Sequence, residues 1–185
     1  MSEDLSRLDN IQEFEFSNSP VEWKYADCNS SVSKIYESVL DKYFKNDPCI
    51  KDANVRFIYY SKLRRSRGKE VYAFVKKPSD FESYLDSRTA GEPSNYFMFI
   101  DYYLWNNLPD EYKERLMRHE VRHFDIDFNK DGDMVFGLKD HDFADFEVDM
   151  DIESKPGGDP KWHSTLAEIS EKARAELDSK SEDED

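Results

Sequence analysis

The chain has 185 residues, of which 36% are charged and 38% hydrophobic, and its formal net charge is −15. It has no apolar run near the roughly 20 residues that a membrane-spanning helix needs, so its composition excludes a membrane protein. An acidic chain is repelled by phosphate backbones, which argues against nucleic acid as a partner.

Three parts are expected along the chain. Residues 1–30 are polar, with scattered aromatic side chains, and form an N-terminal extension that either contributes an edge strand or drapes over the domain. Residues 31–154 contain the periodic segments of one domain. Residues 155–185 begin with a Pro/Gly linker and continue as an appended helix and an acidic disordered tail. The acidic N-terminus has no apolar stretch behind it, so we expect a cytoplasmic protein.

The first half of the domain predicts one helix and three strands. Residues 31–45 place apolar side chains on one helical stripe, and an Asp-Pro pair ends that helix. Segments 55–60, 71–75 and 96–100 have the β-branched and aromatic composition of strands. The last of them is the most apolar, so we expect it at the centre of the sheet.

The connections between these elements are polar. A basic cluster between the first two strands is interpreted as a solvated hairpin loop, with a contact site for an acidic partner as the alternative. The cluster consists of Lys62, Arg64, Arg65, Arg67 and Lys69. Residues 78–95 are rich in Pro, Gly and Ser and predict a loop with a short helix near 81–85. Cys28 and Cys49 lack metal-binding spacing and are interpreted as ordinary thiols.

The second half of the domain is helical by pattern. Pro109, followed by two acids, marks the start of a helix that runs to Phe124. A polar stretch then breaks it, and Asp140 is a good N-cap for another helix. A last helix is expected over 164–177, packed on the domain or on a partner. Clustered strands followed by helices predict an α+β domain.

One helix carries the residues with the clearest chemistry. His119 and His123 are four apart, which puts both imidazoles on one helix face, where they can bind one zinc ion. Glu120 lies beside them, where its carboxylate can take a proton from metal-bound water. This HExxH arrangement supplies two ligands and a general base from little more than one helical turn.

A catalytic zinc also needs a third protein ligand. His141, at the head of the next predicted helix, is the first choice, because the intervening loop is long enough for that helix to fold back. Asp145 and Glu147 on the same helix are alternatives, and His163, beyond the linker, is a poorer candidate.

A second metal motif competes with the first. Asp127 to Asp133 matches the first seven positions of an EF-hand calcium loop. The twelfth position, however, is Leu138 where a bidentate Glu is required. A tight turn built from Asn, Asp and Gly explains the same residues.

The segments Leu116–His123 and Lys139–Glu147, together with the Leu-Pro-Asp-Glu helix start and the aromatic strand before it, resemble the phage metallopeptidases. The layout is similar to that of the SprT-like zincins. The resemblance covers roughly residues 31–153 and omits the N-terminal extension and the appended helix.

The resemblance implies a small zincin-like α+β domain over 31–154. In it a helix, then a three-stranded sheet, precede the HExxH helix and a further ligand-bearing helix. It implies one zinc per chain on His119, His123 and His141, with Glu120 as general base for hydrolysis of peptide bonds by metal-activated water. The substrate is then a peptide or protein, and the protein is phage-encoded and works in the cytoplasm of a host bacterium.

A rival interpretation is a non-enzymatic acidic phage protein that binds and inhibits a host protein through its acidic surface. In that case zinc is structural, with Glu147 or another acid closing the fourth position. The cysteine-rich zinc ribbon typical of SprT-like proteins that act on DNA-bound proteins is missing from the sequence.

Overall fold

A computed structural model describes residues 23–26, 30–66, 68–141 and 161–182. The helix predicted to follow Asp140, the Pro/Gly linker and the end of the acidic tail lie outside these ranges. In chain order the elements are β1 (Trp23–Tyr25), α1 (Ser31–Tyr43), α2 (Pro48–Asp52), β2 (Val55–Tyr60), β3 (Arg64–Ser66), β4 (Lys69–Val71), β5 (Ala73–Lys76), α3 (Asp80–Ala90), β6 (Tyr96–Asp101), α4 (Tyr102–Asn107), α5 (Asp110–Val121), β7 (Phe124–Phe128), β8 (Met134–Leu138) and α6 (Trp162–Glu182).

The main sheet has the strand order β1-β2-β6-β5. The strands predicted over 55–60 and 96–100 are confirmed, whereas the one predicted over 71–75 is divided, since Val71 ends β4 and the sheet strand β5 begins at Ala73. Strand β6 is central as expected, parallel to β2 and antiparallel to β5. The prediction of a three-stranded sheet is wrong, because β1 pairs antiparallel with the outer edge of β2. The resulting mixed α+β arrangement leaves β5 as the last strand at the other edge, within the part of the chain that the structure describes.

The basic segment between β2 and β5 is more ordered than a hairpin loop. It contains the two-stranded ribbon β3–β4, in which Arg65 pairs with Glu70 across the strands. Gly68, with φ of 80°, occupies the turn, a conformation that glycine adopts without steric cost. The guanidinium of Arg64 lies 4.1 Å from the ring centre of Phe74, so this cation packs onto the sheet.

The loop predicted over 78–95 is largely the helix α3. Ser79 and Glu82 form a capping box at its start, which stabilises the first turn. Asp86 is buried and ties the helix to its surroundings, accepting from the amide of Ser94 at 2.7 Å and pairing with Arg56 at 3.0 Å. Local capping and this buried ion pair therefore outweigh the loop-like composition.

Two helices follow the central strand where one was predicted. Asp101 ends β6 and caps α4 by accepting from the amide of Leu104 at 3.0 Å. Pro109 is the N-cap of α5, and the acids that follow fill its first turn. Helix α1 packs against α5, and the hydroxyl of Tyr43 donates to Glu114 at 2.6 Å between them.

The C-terminal helix α6 packs on the domain. Trp162, Leu166 and Ala173 are buried along one stripe. Arg174, further along the helix, forms an ion pair with the fully buried Asp101, and burial raises the pKa of that carboxyl. These contacts connect α6 to the end of the central strand. None of the described helices has the length and apolar character that crossing a membrane requires.

Candidate metal centre

The HExxH residues straddle the end of helix α5. His119 and Glu120 lie in its last turn and are buried, with 8% and 4% exposure. The helix ends at Val121, so His123 lies one residue beyond the helical cap. Arg122 keeps α-helical angles, and the amide of His123 donates to the carbonyl of Glu120 at 3.1 Å. The chain therefore keeps turning, and the ring centres of the two histidines are 5.4 Å apart.

A β-hairpin, β7–β8, follows the motif and brings the chain back to it. The predicted continuation of the helix to Phe124 is wrong, because Phe124 pairs with Leu138 in this hairpin. One residue further out, the amide of Lys139 donates to the carbonyl of His123 at 2.9 Å. The hairpin thus closes on the motif, and His141 follows two residues later.

The base of the hairpin also orients one of the imidazoles. Nδ1 of His123 lies 2.8 Å from the carbonyl oxygen of Lys139. Because a carbonyl can only accept, Nδ1 bears the hydrogen and Nε2 keeps its lone pair. A backbone carbonyl on the far nitrogen is the usual means of presenting a histidine to a metal.

Tyr96 anchors the hairpin to the central strand. Its ring stacks on Phe124 with centres 4.1 Å apart. Its hydroxyl lies 3.1 Å from the carbonyl oxygen of Asp125 and 2.9 Å from that of Gly137, one on each hairpin strand. The position of the hairpin, and hence of His141, follows from contacts made by the sheet.

The three predicted histidines come together. Nε2 of His141 lies 2.9 Å from Nε2 of His119, and one nitrogen from each of the three rings lies within 4.8 Å of the others. Two nitrogen ligands at 2.0–2.1 Å from a tetrahedral ion are about 3.3 Å apart, so small shifts would let the three share one ion. Over the described ranges this is the only such group of potential metal ligands.

Burial keeps one member of the group neutral. The pKa of His123 is lowered from 6.5 to about 4, mainly by burial and further by the neighbouring His119 and His141, against the opposing effect of the Lys139 carbonyl. A neutral imidazole at pH 7 is the form that binds a metal. Asp145 and Glu147, the alternative ligands, lie outside the described residues.

The competing calcium motif folds as a turn. Oδ1 of Asn129 accepts from the amides of Asp131 and Asp133, each at 2.9 Å. Gly132 has φ of 89°, which suits the tight turn between β7 and β8. The sequence allowed either a calcium loop or a tight polar turn here, and these contacts support the polar turn.

A cleft of about 780 Å³ opens over the histidines. Glu120 lines it together with the three imidazoles. The segment leading into β5 forms another wall, and the start of α6 a third. Sequence reasoning missed the contribution of α6 to this cleft. The signal was a Trp-His pair directly after the linker, in a chain with only four histidines.

The chain matches a family model described as "Putative phage metallopeptidase" over residues 23–169. The chain belongs to this family. The match is wider than the resemblance seen in the motifs, since it includes β1 and the first part of α6. No curated protein and no solved structure matches the chain. The family description implies a metal cofactor and a peptide or protein substrate. The three imidazole nitrogens are suitable ligands for such a metal.

Proposed function

We propose that the protein is a zinc-dependent metallopeptidase, with zinc on His119, His123 and His141 and Glu120 as general base. The observation that carries the proposal is the group of three ring nitrogens within 4.8 Å, with Glu120 lining the same cleft. Membership of the phage metallopeptidase family supports the reaction class. His119 and His123 lie at the end of α5, and His141 follows the β7–β8 hairpin. The group of three imidazoles therefore forms only in the folded domain.

Zinc is the metal that this donor set favours. Imidazole nitrogens suit zinc, whereas calcium and magnesium prefer oxygen ligands. Three protein ligands leave one position for substrate or water, which is the pattern of catalytic zinc sites. When bound, the ion would polarise the scissile carbonyl and make an adjacent water easier to deprotonate.

Glu120 would move the proton. Its carboxylate takes a proton from the attacking water, whose oxygen forms the new bond to the carbonyl carbon. As the carbon–nitrogen bond breaks, Glu120 passes that proton to the leaving amine. The amine leaves neutral, and the water oxygen ends with its second proton in the new carboxylic acid. That acid then releases the second proton and the amine takes up one from solvent, so the products are a carboxylate and an ammonium and atoms and charge balance.

The edge strand suggests how a peptide would lie. Val71 to Val75, which include most of β5, line the cleft, and β5 pairs on one side only within the described residues. An extended peptide can hydrogen-bond to such an edge, which places its backbone beside the histidines.

The family description supports a phage-encoded protein, and we place its activity in the cytoplasm of a host bacterium.

The test is the variant Glu120→Gln. It should keep one zinc per chain by elemental analysis, because Glu120 is not a ligand. It should lose roughly a hundredfold to ten-thousandfold of the cleavage rate on a library of internally quenched peptides. Glu111→Gln, in the first turn of the same helix and not among the residues that line the cleft, is the matched control and should remain active.

Two results would contradict the proposal. A fully active Glu120→Gln variant would remove Glu120 as the base. A zinc with four protein ligands and no exchangeable position, seen in the absorption spectrum of cobalt-substituted protein, would make the metal structural and favour the rival binding protein.

A further inference from the structure

The most basic segment of this acidic chain borders the cleft. Residues 62–70, which we call the basic ribbon, contain β3 and β4 and hold five Lys and Arg side chains against one Glu. The segment has a net charge of +4 in a chain whose net charge is −15. We propose that the basic ribbon binds acidic side chains of the substrate, so that the site prefers peptides with Asp or Glu on one side of the scissile bond. This inference rests on the proposed peptidase function and names the substrate class of the same site.

The basic ribbon reaches the cleft through the residues at its turn. Ser66 pairs with Lys69 across the two strands, and both residues are exposed. Both also line the cleft, as does Glu70 after them. The same cleft is lined by Glu120 and by the three histidines of the metal group. A peptide that occupies this cleft therefore lies within reach of the ammonium group of Lys69.

The basic ribbon continues directly into the edge strand β5. Only Tyr72 separates Val71, the last residue of β4, from Ala73, the first residue of β5. The carbonyl oxygen of Tyr72 accepts from the amide of Asp101 at 2.8 Å, so the chain is still bonded to the end of β6 here. Lys69 lies four residues before Ala73, about 13 Å along an extended chain. A peptide extended along β5 would meet the ribbon a few residues from the scissile bond, and on one side of it only.

The positive charge of the basic ribbon is more than its own folding uses. All three residues of β3 are exposed, so this strand adds nothing to the core. The guanidinium of Arg64 packs on Phe74, and that of Arg65 lies 3.5 Å from Oε1 of Glu70 in an exposed pair of little energetic value. The other oxygen of Glu70 accepts from the hydroxyl of Tyr72 at 2.8 Å. The single acid of the ribbon cannot neutralise five basic side chains, and a surplus of positive charge attracts anionic ligands.

The charge of the remaining chain favours a peptide over a nucleic acid as the occupant. Outside the basic ribbon the net charge is −19, the difference between −15 and +4. A phosphate backbone that ran past the ribbon would be repelled by this charge. A peptide can place one or two carboxylates against the ribbon and remain uncharged elsewhere. Such an attraction stays local, because the Debye length is about 8 Å at physiological salt.

The first experiment compares matched quenched peptides. A peptide that the wild type cleaves is remade with glutamate or with glutamine at successive positions on either side of the cleaved bond. Glutamate on one side should raise kcat/KM about tenfold over glutamine, mainly through KM, because the contact is made equally in the ground state and the transition state. The preference should shrink when sodium chloride is raised from about 50 mM to about 0.5 M, since exposed charges are then screened.

Variants of Lys69 test whether the basic ribbon causes this preference. Lys69→Gln should lower the glutamate-to-glutamine ratio of kcat/KM about threefold, and Lys69→Glu should abolish or invert it. Lys69→Arg, which keeps the charge, should retain the ratio. Lys45→Glu makes the same change in net charge at an exposed residue that does not line the cleft, and should keep the wild-type ratio. A ratio between two peptides is insensitive to the fraction of protein that is folded.

Three outcomes of these measurements overturn the proposal. If the wild type cleaves the glutamate and glutamine peptides equally at every position, the site has no acidic preference. If the preference survives in Lys69→Glu, another surface causes it. If Lys45→Glu loses the preference as Lys69→Glu does, the preference reflects the charge of the whole molecule and not the basic ribbon.

A binding experiment separates this preference from the peptidase function. A short fluorescent peptide rich in glutamate is titrated with the zinc-loaded Glu120→Gln protein and followed by anisotropy, beside its glutamine analogue and an oligothymidine of equal length. Tighter binding of the glutamate peptide that Lys69→Glu removes would stand even if no peptide is cleaved. Cleavage that depends on Glu120, without this binding or the preference, would keep the peptidase function and remove the acidic substrate class. Tightest binding of the oligothymidine would make the basic ribbon a nucleic-acid site and the proposal wrong.

Discussion

The HExxH turn and the polar turn of the β7–β8 hairpin both have the residue spacing of known metal sites, and they fold differently. The first brings nitrogens of His119, His123 and His141 within 4.8 Å of one another. In the second, the side-chain oxygen of Asn129 accepts two backbone amides and so completes a turn. Spacing alone does not make a site; the donor atoms must also be left available by the backbone.

The two turns are nevertheless linked. The polar turn reverses the chain, and the hairpin that it closes returns His141 to the HExxH residues. The turn is therefore structural for a site whose chemistry lies elsewhere. Variants at each turn should therefore distinguish residues that bind the metal from residues that position the hairpin.

Removing a metal ligand should have the largest effect. His119→Ala, His123→Ala or His141→Ala should each weaken zinc binding by at least about a hundredfold, since even the loss of a residue that only orients a ligand costs tenfold to a hundredfold. Competition with a chromogenic chelator measures this. Asp131→Asn in the polar turn is the control and should bind zinc as the wild type does. An equal loss of zinc affinity in this variant would mean that the polar turn also belongs to the metal site.

Acid should destabilise the metal-free protein through His123. Its pKa is about 4 in the folded protein, against 6.5 ordinarily. Between these values the unfolded chain binds more protons, so stability is complete above pH 6.5 and falls as the pH drops toward 4. The loss should be about 2 kcal/mol, allowing for the partly exposed ring.

Urea denaturation at pH 7 and pH 4.5 tests this effect. In His123→Gln, which has no titrating ring at that position, the difference between the two pH values should shrink. If the variant keeps the whole difference, groups other than His123 cause it.

Weakening the contact between the hairpin and the sheet should have a smaller effect on both stability and metal binding. Tyr96→Phe removes the hydroxyl near both hairpin strands and should cost about 1 kcal/mol. Zinc affinity should fall by up to about tenfold, because His141 is less well placed. Calorimetry and the chelator assay measure these, with Tyr84→Phe on exposed α3 as the control. Unchanged zinc affinity would show that the anchor does not position His141.

The polar turn should show the smallest effect. Asn129→Ala removes two bonds to backbone amides and should lower stability by about 1 kcal/mol or less, since the amides can bond to water. Millimolar calcium should not raise the melting temperature of the wild type. A calcium-dependent rise that Asn129→Ala abolishes would establish the calcium loop after all.

Local pattern was sufficient for much of the fold. Helix α1 was predictable because its apolar side chains repeat with the helical period, and strands β2 and β6 because they are short runs of β-branched and aromatic residues. The hairpin was not predicted, although β7 alternates apolar and acidic residues, because the helical pattern was carried on to Phe124 and the residues after it matched a polar turn or calcium loop. Its strands are stabilised by pairing with each other and by Tyr96, contacts that no short window contains.

The end of the HExxH helix illustrates the same limit. Periodicity continues to Phe124, yet the helix ends at Val121 and Phe124 pairs with Leu138 in the hairpin. His123 is consequently presented from a turn, with Lys139 orienting its ring.

The sequence by itself determined that His119, Glu120 and His123 would be neighbours, because helical geometry brings residues three and four apart to one side. It also placed His141 as the first choice for a third ligand. Only the tertiary structure decided how His141 returns, through a hairpin anchored by Tyr96, and that α6 delivers His163 to the cleft. Both depend on packing between segments far apart in the chain, which local spacing cannot encode.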